Sequence, residues 1–282
     1  MKKILSAMLS IVISLCFIGC TSQSTISEGS QPSQSEPVNS EGSQSSQSEP
    51  VSSEGLHIVE VADGFKVVSI GTCSDANIII PSTFNSEKVI AIEAEAFKDC
   101  NWITSITIPN SVSSIGESAF YNCDALTSIN IPDSVASISK NMFYDCNSLT
   151  SIIIPNSVSS IGESAFYNCD ALTILDIPDS IALIGNSAFS NCDNLNSVTI
   201  GNRVNTIGER AFMNCKALNS INIPYSVTSI GQGALAFNRY QLIIYYEGTR
   251  EEWHKKFKYY KYFPYQSVVI HCSDGDIGRY TE

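Results

Sequence analysis

Histidine is almost missing from this chain: His57, His254 and His271 are the three in 282 residues. Imidazole-based metal centres and His-driven nucleophiles need clustered partners. No H-E-x-x-H, G-x-S-x-G, P-loop or GxGxxG context occurs to supply them. Cations are scarce as well, 16 Lys and Arg against 28 Asp and Glu, for a net charge of -12. Phosphate backbones are held by clustered Lys and Arg, so nucleic acid is excluded as a partner. Long apolar runs are also lacking. The longest, Ile4 to Ile18, falls short of the roughly 20 residues a membrane-spanning helix needs.

That run follows Lys2 and Lys3 and ends at Gly19 before Cys20, the layout of an export signal over residues 1–19. From Thr21 to Gly55 there is no Lys, no Arg and no aromatic residue. Within it, "SEGSQPSQSEPVN" (27–39) is followed by "SEGSQSSQSEPVS" (40–52). Such a Ser/Gln/Glu/Pro segment cannot bury enough apolar surface to offset ordering, so residues 20–55 are expected to be a solvated tether.

What is abundant is repetition. "IPNSVSSIGESAFYNCDALT" runs from Ile108 to Thr127 and returns unchanged from Ile154 to Thr173. Half that separation is the true period: cysteines fall every 23 residues at Cys100, Cys123, Cys146, Cys169, Cys192 and Cys215. Ten cysteines in an exported chain would ordinarily suggest disulfides. Equivalent residues on stacked strands, however, point the same way about 4.8 Å apart, whereas a bridge needs facing Cβ atoms about 3.8 Å apart. The spacing therefore favours a ladder of buried thiols. Cys73 and Cys272 lie outside that spacing, and their state stays open.

In the unit from Leu126 to Ser148, Leu126, Ile129 and Ile131 form L-x-x-L-x-L, whose I-x-I alternation is a short strand. Pro132 ends it, because proline cannot donate to a further ladder bond. A loop then turns Val135, Ile138, Phe143 and Cys146 inward. One such unit leaves both flanks of its core open, so units must stack, strand beside strand. The expected fold is a β-rich repeat solenoid with a parallel concave sheet and short loops or 3-10 turns on the convex side. The repeats are expected over 80–241, between an N-terminal cap (56–79) and a C-terminal cap (242–282). Leu56 to Ile70 alternates around Asp63-Gly64, a hairpin signal. Thr249-Arg250-Glu251-Glu252 is a capping box that opens a short helix through Trp253 and Phe257.

Over about Ile78 to Leu242 the signature I-P-x-S-V-x-x-I-G-x-x-A-F-x-x-C resembles the BspA-like, treponemal-type 23-residue leucine-rich repeats of bacterial surface lipoproteins. It stands at Ile108 to Cys123 and Ile154 to Cys169. It departs at Gly201 (for proline), Ser139 (for glycine) and Asn238 (for a seventh cysteine). The first unit, from Ile80, carries five extra residues in its loop, and "YYEGTREEW" (245–253) looks like the family's closing segment. Phe17-Ile18-Gly19-Cys20 likewise resembles the bacterial lipobox, with Phe17 in place of the commoner Leu. That resemblance implies Cys20 as the lipidated first residue and attachment to the membrane through acyl chains; an ordinary signal cut near Gly19 is the alternative. The family resemblance implies a cell-surface adhesion or binding protein for extracellular proteins or glycans, not an enzyme, and no cofactor.

The outward positions of the strands are the expected binding face: Ser128 and Asn130, Ser151 and Ile153, Ile174 and Asp176, Ser197 and Thr199. Ile153 and Ile174 are the two apolar breaks in a hydroxyl and amide surface. Elsewhere the bland readings are favoured. His271 and Cys272, adjacent in a strand, point to opposite faces. "SDGD" (273–276) reads as a turn and not as a calcium loop, since the later glutamate is missing. The basic aromatic run 254–265 reads as an amphipathic cap whose lysines snorkel. The rival functions are a structural or partner-docking envelope protein, or an envelope enzyme with chemistry in the caps.

Overall fold

The computed structural model describes residues 52–239, 241–257 and 267–280. The expected export signal, Cys20, most of the tether and residues 258–265 of the basic aromatic run lie outside the described residues.

A hairpin of β1 (His57–Val61) and β2 (Gly64–Ser69) comes first, closed by a two-residue turn at Ala62 and Asp63. Gly64 thus opens the returning strand instead of completing the turn. At φ 142° it lies so close to the next strand that a Cβ would meet the Lys88 carbonyl oxygen at 2.4 Å. Next come β3 (Asn77–Ile79), β4 (Thr83–Phe84) and β5 (Glu87–Ile92). The five extra residues of the first unit fold into the β4–β5 hairpin. Its turn residues Asn85 and Ser86 take φ of 49° and 69°, the primed geometry that suits strand twist. Phe84 of this hairpin meets Phe65 edge-on, ring centroids 5.1 Å apart, and covers the cap.

The repeats then contribute β6 (Ser105–Thr107), β7 (Ser114–Ile115), β8 (Ser128–Ile129), β9 (Ser160–Ile161) and β10 (Ile174–Ile177). They continue with β11 (Leu183–Ile184), β12 (Ser197–Ile200), β13 (Thr206–Ile207), β14 (Ser220–Ile223) and β15 (Ser229–Ile230). The C-terminal region adds β16 (Gln241–Tyr246), α1 (Arg250–Lys256), β17 (Ser267–Cys272) and β18 (Gly275–Tyr280). Thr249 caps α1 reciprocally with Glu252, as its capping box requires, and Trp253 is buried beneath.

Two ladders run along the solenoid. One joins the I-x-I segments as β3-β6-β8, β10-β12 and β14-β16-β17-β18, all parallel except the last pair. The other joins the V-x-x-I segments as β2-β5-β7 and β9-β11-β13-β15. Sequence reading turned Val135 and Ile138 inward but saw only a loop there. Two-residue strands carry too little alternation to register as β. The remaining connection is made of turns, with no 3-10 helix among the described residues.

Ser139 accounts for the break in the second ladder. At Gly116, Gly162, Gly185, Gly208 and Gly231 the backbone N–H donates to the preceding turn's isoleucine carbonyl at 2.8–2.9 Å. These glycines sit against backbone: a Cβ on Gly208 would lie 2.6 Å from Gly185 C and from Asn186 N. At Ser139 the hydroxyl donates to Ile115 O instead, at 2.7 Å. The neighbouring segment keeps one isolated bridge, Ile138 to Ile161, and no named strand.

The interior is columnar. Phe97, Phe120, Phe143, Phe166, Phe189 and Phe212 stack with centroids 5.1–5.6 Å apart. All six ladder cysteines are buried free thiols. Cys123, Cys146, Cys169, Cys192 and Cys215 each donate S–H to the carbonyl of the phenylalanine twenty-six residues earlier, at 3.1–3.2 Å. Burial pushes Cys100 up to about 11 and Cys146 and Cys215 up to about 12, so these thiols are poor nucleophiles. Cys73, which the spacing left unassigned, occupies the rung before Cys100. Its N–H closes onto Ile70 O as that of Cys100 closes onto Phe97 O. On the outer side Tyr121, Tyr144 and Tyr167 stack at 4.6–4.7 Å. Asn122 and Asn168 donate to Asp99 and Asp145 one turn back, the loop hydrogen bonding their residue types favour.

A candidate binding face on the strand ladder

The I-x-I strands alternate strictly. Leu175, Ile177, Val198 and Ile200 face the core, while Ile174, Asp176, Ser197 and Thr199 face solvent. One turn earlier Ser151 and Ile153 are exposed, and before them Ser128 and Asn130. Ile153 and Ile174 are the most open large apolar residues described, 74% and 57% exposed. They flank a seam. Asn130 bridges Ile153 on one side, but the next strand, β10, pairs onward with β12 and not back toward Ile153.

Beside the seam lies a shallow depression of about 320 Å³, lined by Ser105, Thr107, Ser128, Asn130, Ser151 and Ile153, with Ile106 and Ile129 as its floor. Not every hydroxyl on the face is available to a ligand. Thr104, Thr127 and Thr150 donate to main-chain carbonyls one turn back, at 3.1–3.2 Å. Ser105 likewise donates to Asn77 Oδ1 at 2.7 Å, whereas Ser128, Asn130 and Ser151 make no side-chain hydrogen bond among the described residues.

The BspA type leucine rich repeat region family matches residues 71–193 and 160–262, in six copies. Together these cover well over half of the chain. The chain belongs to the BspA-type leucine-rich repeat family. Among solved structures it is similar to the leucine-rich repeat protein TpLRR of T. pallidum, at 27% identity and TM-score 0.63, over 67% of this chain and 89% of that one. It is also similar to a leucine-rich repeat protein from Bacteroides ovatus, at 26% identity and TM-score 0.59, over 71% of this chain and 65% of that one. No match is found among curated proteins.

In this BspA-type chain the strand face continues into the C-terminal cap, which sequence reading missed. Asn222 pairs in register with Tyr245, and Tyr245 with His271. The Tyr245 and His271 rings stack at 5.2 Å, and His271 Nδ1 lies 2.6 Å from Asp276 Oδ1. The pairing from β16 to β17 joins Gln241 to Ser267, outside the 23-residue period, so the repeat is invisible there. His57 and His254 are exposed on β1 and α1, apart from this pair in the fold.

Cys272 packs against the core and burial raises its thiol pKa. The "SDGD" turn carboxylates are already engaged. Asp274 accepts from the Arg250 N–H at the start of α1, and Asp276 faces His271. Lys256 lies 3.7 Å above the Tyr225 ring and donates to its carbonyl. The described part of the basic run thus lies against the cap.

Proposed function

We propose that this protein is a lipid-anchored binding or adhesion protein of the bacterial surface, recognising extracellular proteins or glycans through its strand face. The single observation that carries the reading is the exposed Ile153 and Ile174 pair at the seam, beside the hydroxyl- and amide-lined depression. An apolar centre ringed by small polar groups is the anatomy of a contact hot spot. BspA-type leucine-rich repeat proteins are often surface adhesion or binding proteins, and repeat scaffolds of this kind are generally not enzymes. The ladder thiols are buried and held protonated, which makes them poor nucleophiles.

The test is a binding screen of the full chain, in detergent, against extracellular-matrix proteins and cell-wall polysaccharides. At least one saturable ligand is expected, and Ile153→Asp should weaken it by about tenfold or more. Uniform failure to bind sinks the proposal. Acyl attachment at Cys20 is tested separately by the mass of the mature N-terminus, which an ordinary signal cut would leave unmodified.

A further inference from the structure

We propose that the occupant of this face is an extended, Lys- or Arg-bearing segment of a partner protein, lying across the turns from Ile153 toward Tyr245. This rests on the surface-binding reading above and narrows it to one chemistry. Charge is the first ground. Asp176 is exposed at the centre of β10, and Asp133 and Asp179 are exposed on the loops that leave the strands. Two lysines of the later turns are occupied: Lys216 pairs with Asp193 at 2.6 Å, and Lys256 lies over the Tyr225 ring. With a net charge of -12, the chain steers cationic partners toward it and repels anionic ones.

The second ground is Tyr245. It is 44% exposed. His271 stacks on one side of its ring, and the shorter Asn222 is its partner on the other, so a step is left above the amide. A phenol ring open on one face is a seat for ammonium or guanidinium. Asp276 lies on the far side of His271 and is engaged by it, so the seat is the ring itself.

Spacing is the third. Asp176 aligns with Thr199, the next turn brings Asn222, and Asn222 aligns with Tyr245. Three steps at the usual inter-strand distance make about 14 Å, the length of roughly four extended residues. A partner strand with basic side chains four residues apart meets Asp176 and Tyr245 together. An apolar residue between them and the near end rests on Ile153 and Ile174.

The probes are fluorescein-labelled decamers of lysine, glutamate and glutamine, titrated into the full chain in detergent, alongside a neutral glucan. The lysine decamer should bind saturably and the other three should not. Asp176→Asn and Tyr245→Ala should each weaken it about two- to fivefold. Glu117→Gln, the same loss of charge in the loop after β7, should leave it unchanged. Absence of saturable lysine binding, equal weakening by Glu117→Gln, or binding of the glucan in its place overturns the inference. If a screened ligand still depends on Ile153 while the lysine decamer fails, the surface reading survives and this one falls. If both fail, both fall.

Discussion

The thiol of Cys169 donates to the carbonyl oxygen of Phe143, 3.2 Å away and twenty-six residues earlier in the chain. The same bond recurs at four other rungs, so one side chain ties each turn to the last while filling the core beside the phenyl column. Cys169→Ala removes both the bond and the sulfur volume. The expected cost is about 1–3 kcal/mol, read as a lower urea midpoint with an unchanged m-value.

Alkaline pH should unfold the protein through these same thiols. In the unfolded chain a cysteine loses its proton near pH 9.0, whereas Cys100 holds it to about 11 and Cys146 and Cys215 to about 12. Above pH 9 the folded state therefore binds more protons than the unfolded state, so stability falls as pH rises. Their contribution is whole below pH 9 and is lost between there and about 12. Urea midpoints measured at pH 8 and pH 10.5 should show the drop, and Cys146→Ala should make it shallower. An equal drop in that variant would assign the loss to other groups.

Gly208 lies against the backbone of Gly185, and a methyl group there must push two turns apart. Gly208→Ala should cost about 1–3 kcal/mol. Gly208→Ser should cost less, because a hydroxyl at this place can replace the lost backbone bond, as Ser139 does toward Ile115. Chemical denaturation of the two variants gives the order. A serine variant as unstable as the alanine variant would mean that the Ser139 bond is incidental.

Thr249 accepts from the Glu252 N–H while Glu252 returns a bond to the Thr249 N–H. Thr249→Ala should cost about 1 kcal/mol. Faster hydrogen exchange should be confined to α1 and the Trp253 contact with Tyr246, with the Phe column unaffected.

Ile153→Asp should leave thermal stability within about 0.5 kcal/mol of the parent, since the side chain is 74% exposed. Any loss of ligand binding in that variant then reports on the face and not on folding.

Much of this architecture was legible in the letters because a strict period acts as a physical constraint. Residues 23 apart must be stacked neighbours, so Leu126, Phe143 and Cys146 could be placed in the core from spacing alone. Outward residues such as Asp176 followed from the two-residue alternation of the strand. The second ladder was not legible, because Ser160–Ile161 and its equivalents are too short to alternate. Cys73 and the Tyr245–His271 pair were missed for another reason. Both lie where the spacing departs from 23, at the first rung and at the step into β17. There the three-dimensional repeat persists while the linear one is lost.

The two identical stretches, Ile108 to Thr127 and Ile154 to Thr173, are separated by one intervening turn, and Phe143 sits sandwiched between their Phe120 and Phe166. Each turn presents nearly the same surface above and below, so a gene that gains or drops a whole 23-codon block keeps the phenylalanine and cysteine columns in register. Length is therefore a heritable variable in this molecule, adjustable in increments of about 5 Å. A lineage could extend its reach along a partner by unequal crossing-over without solving the folding problem again.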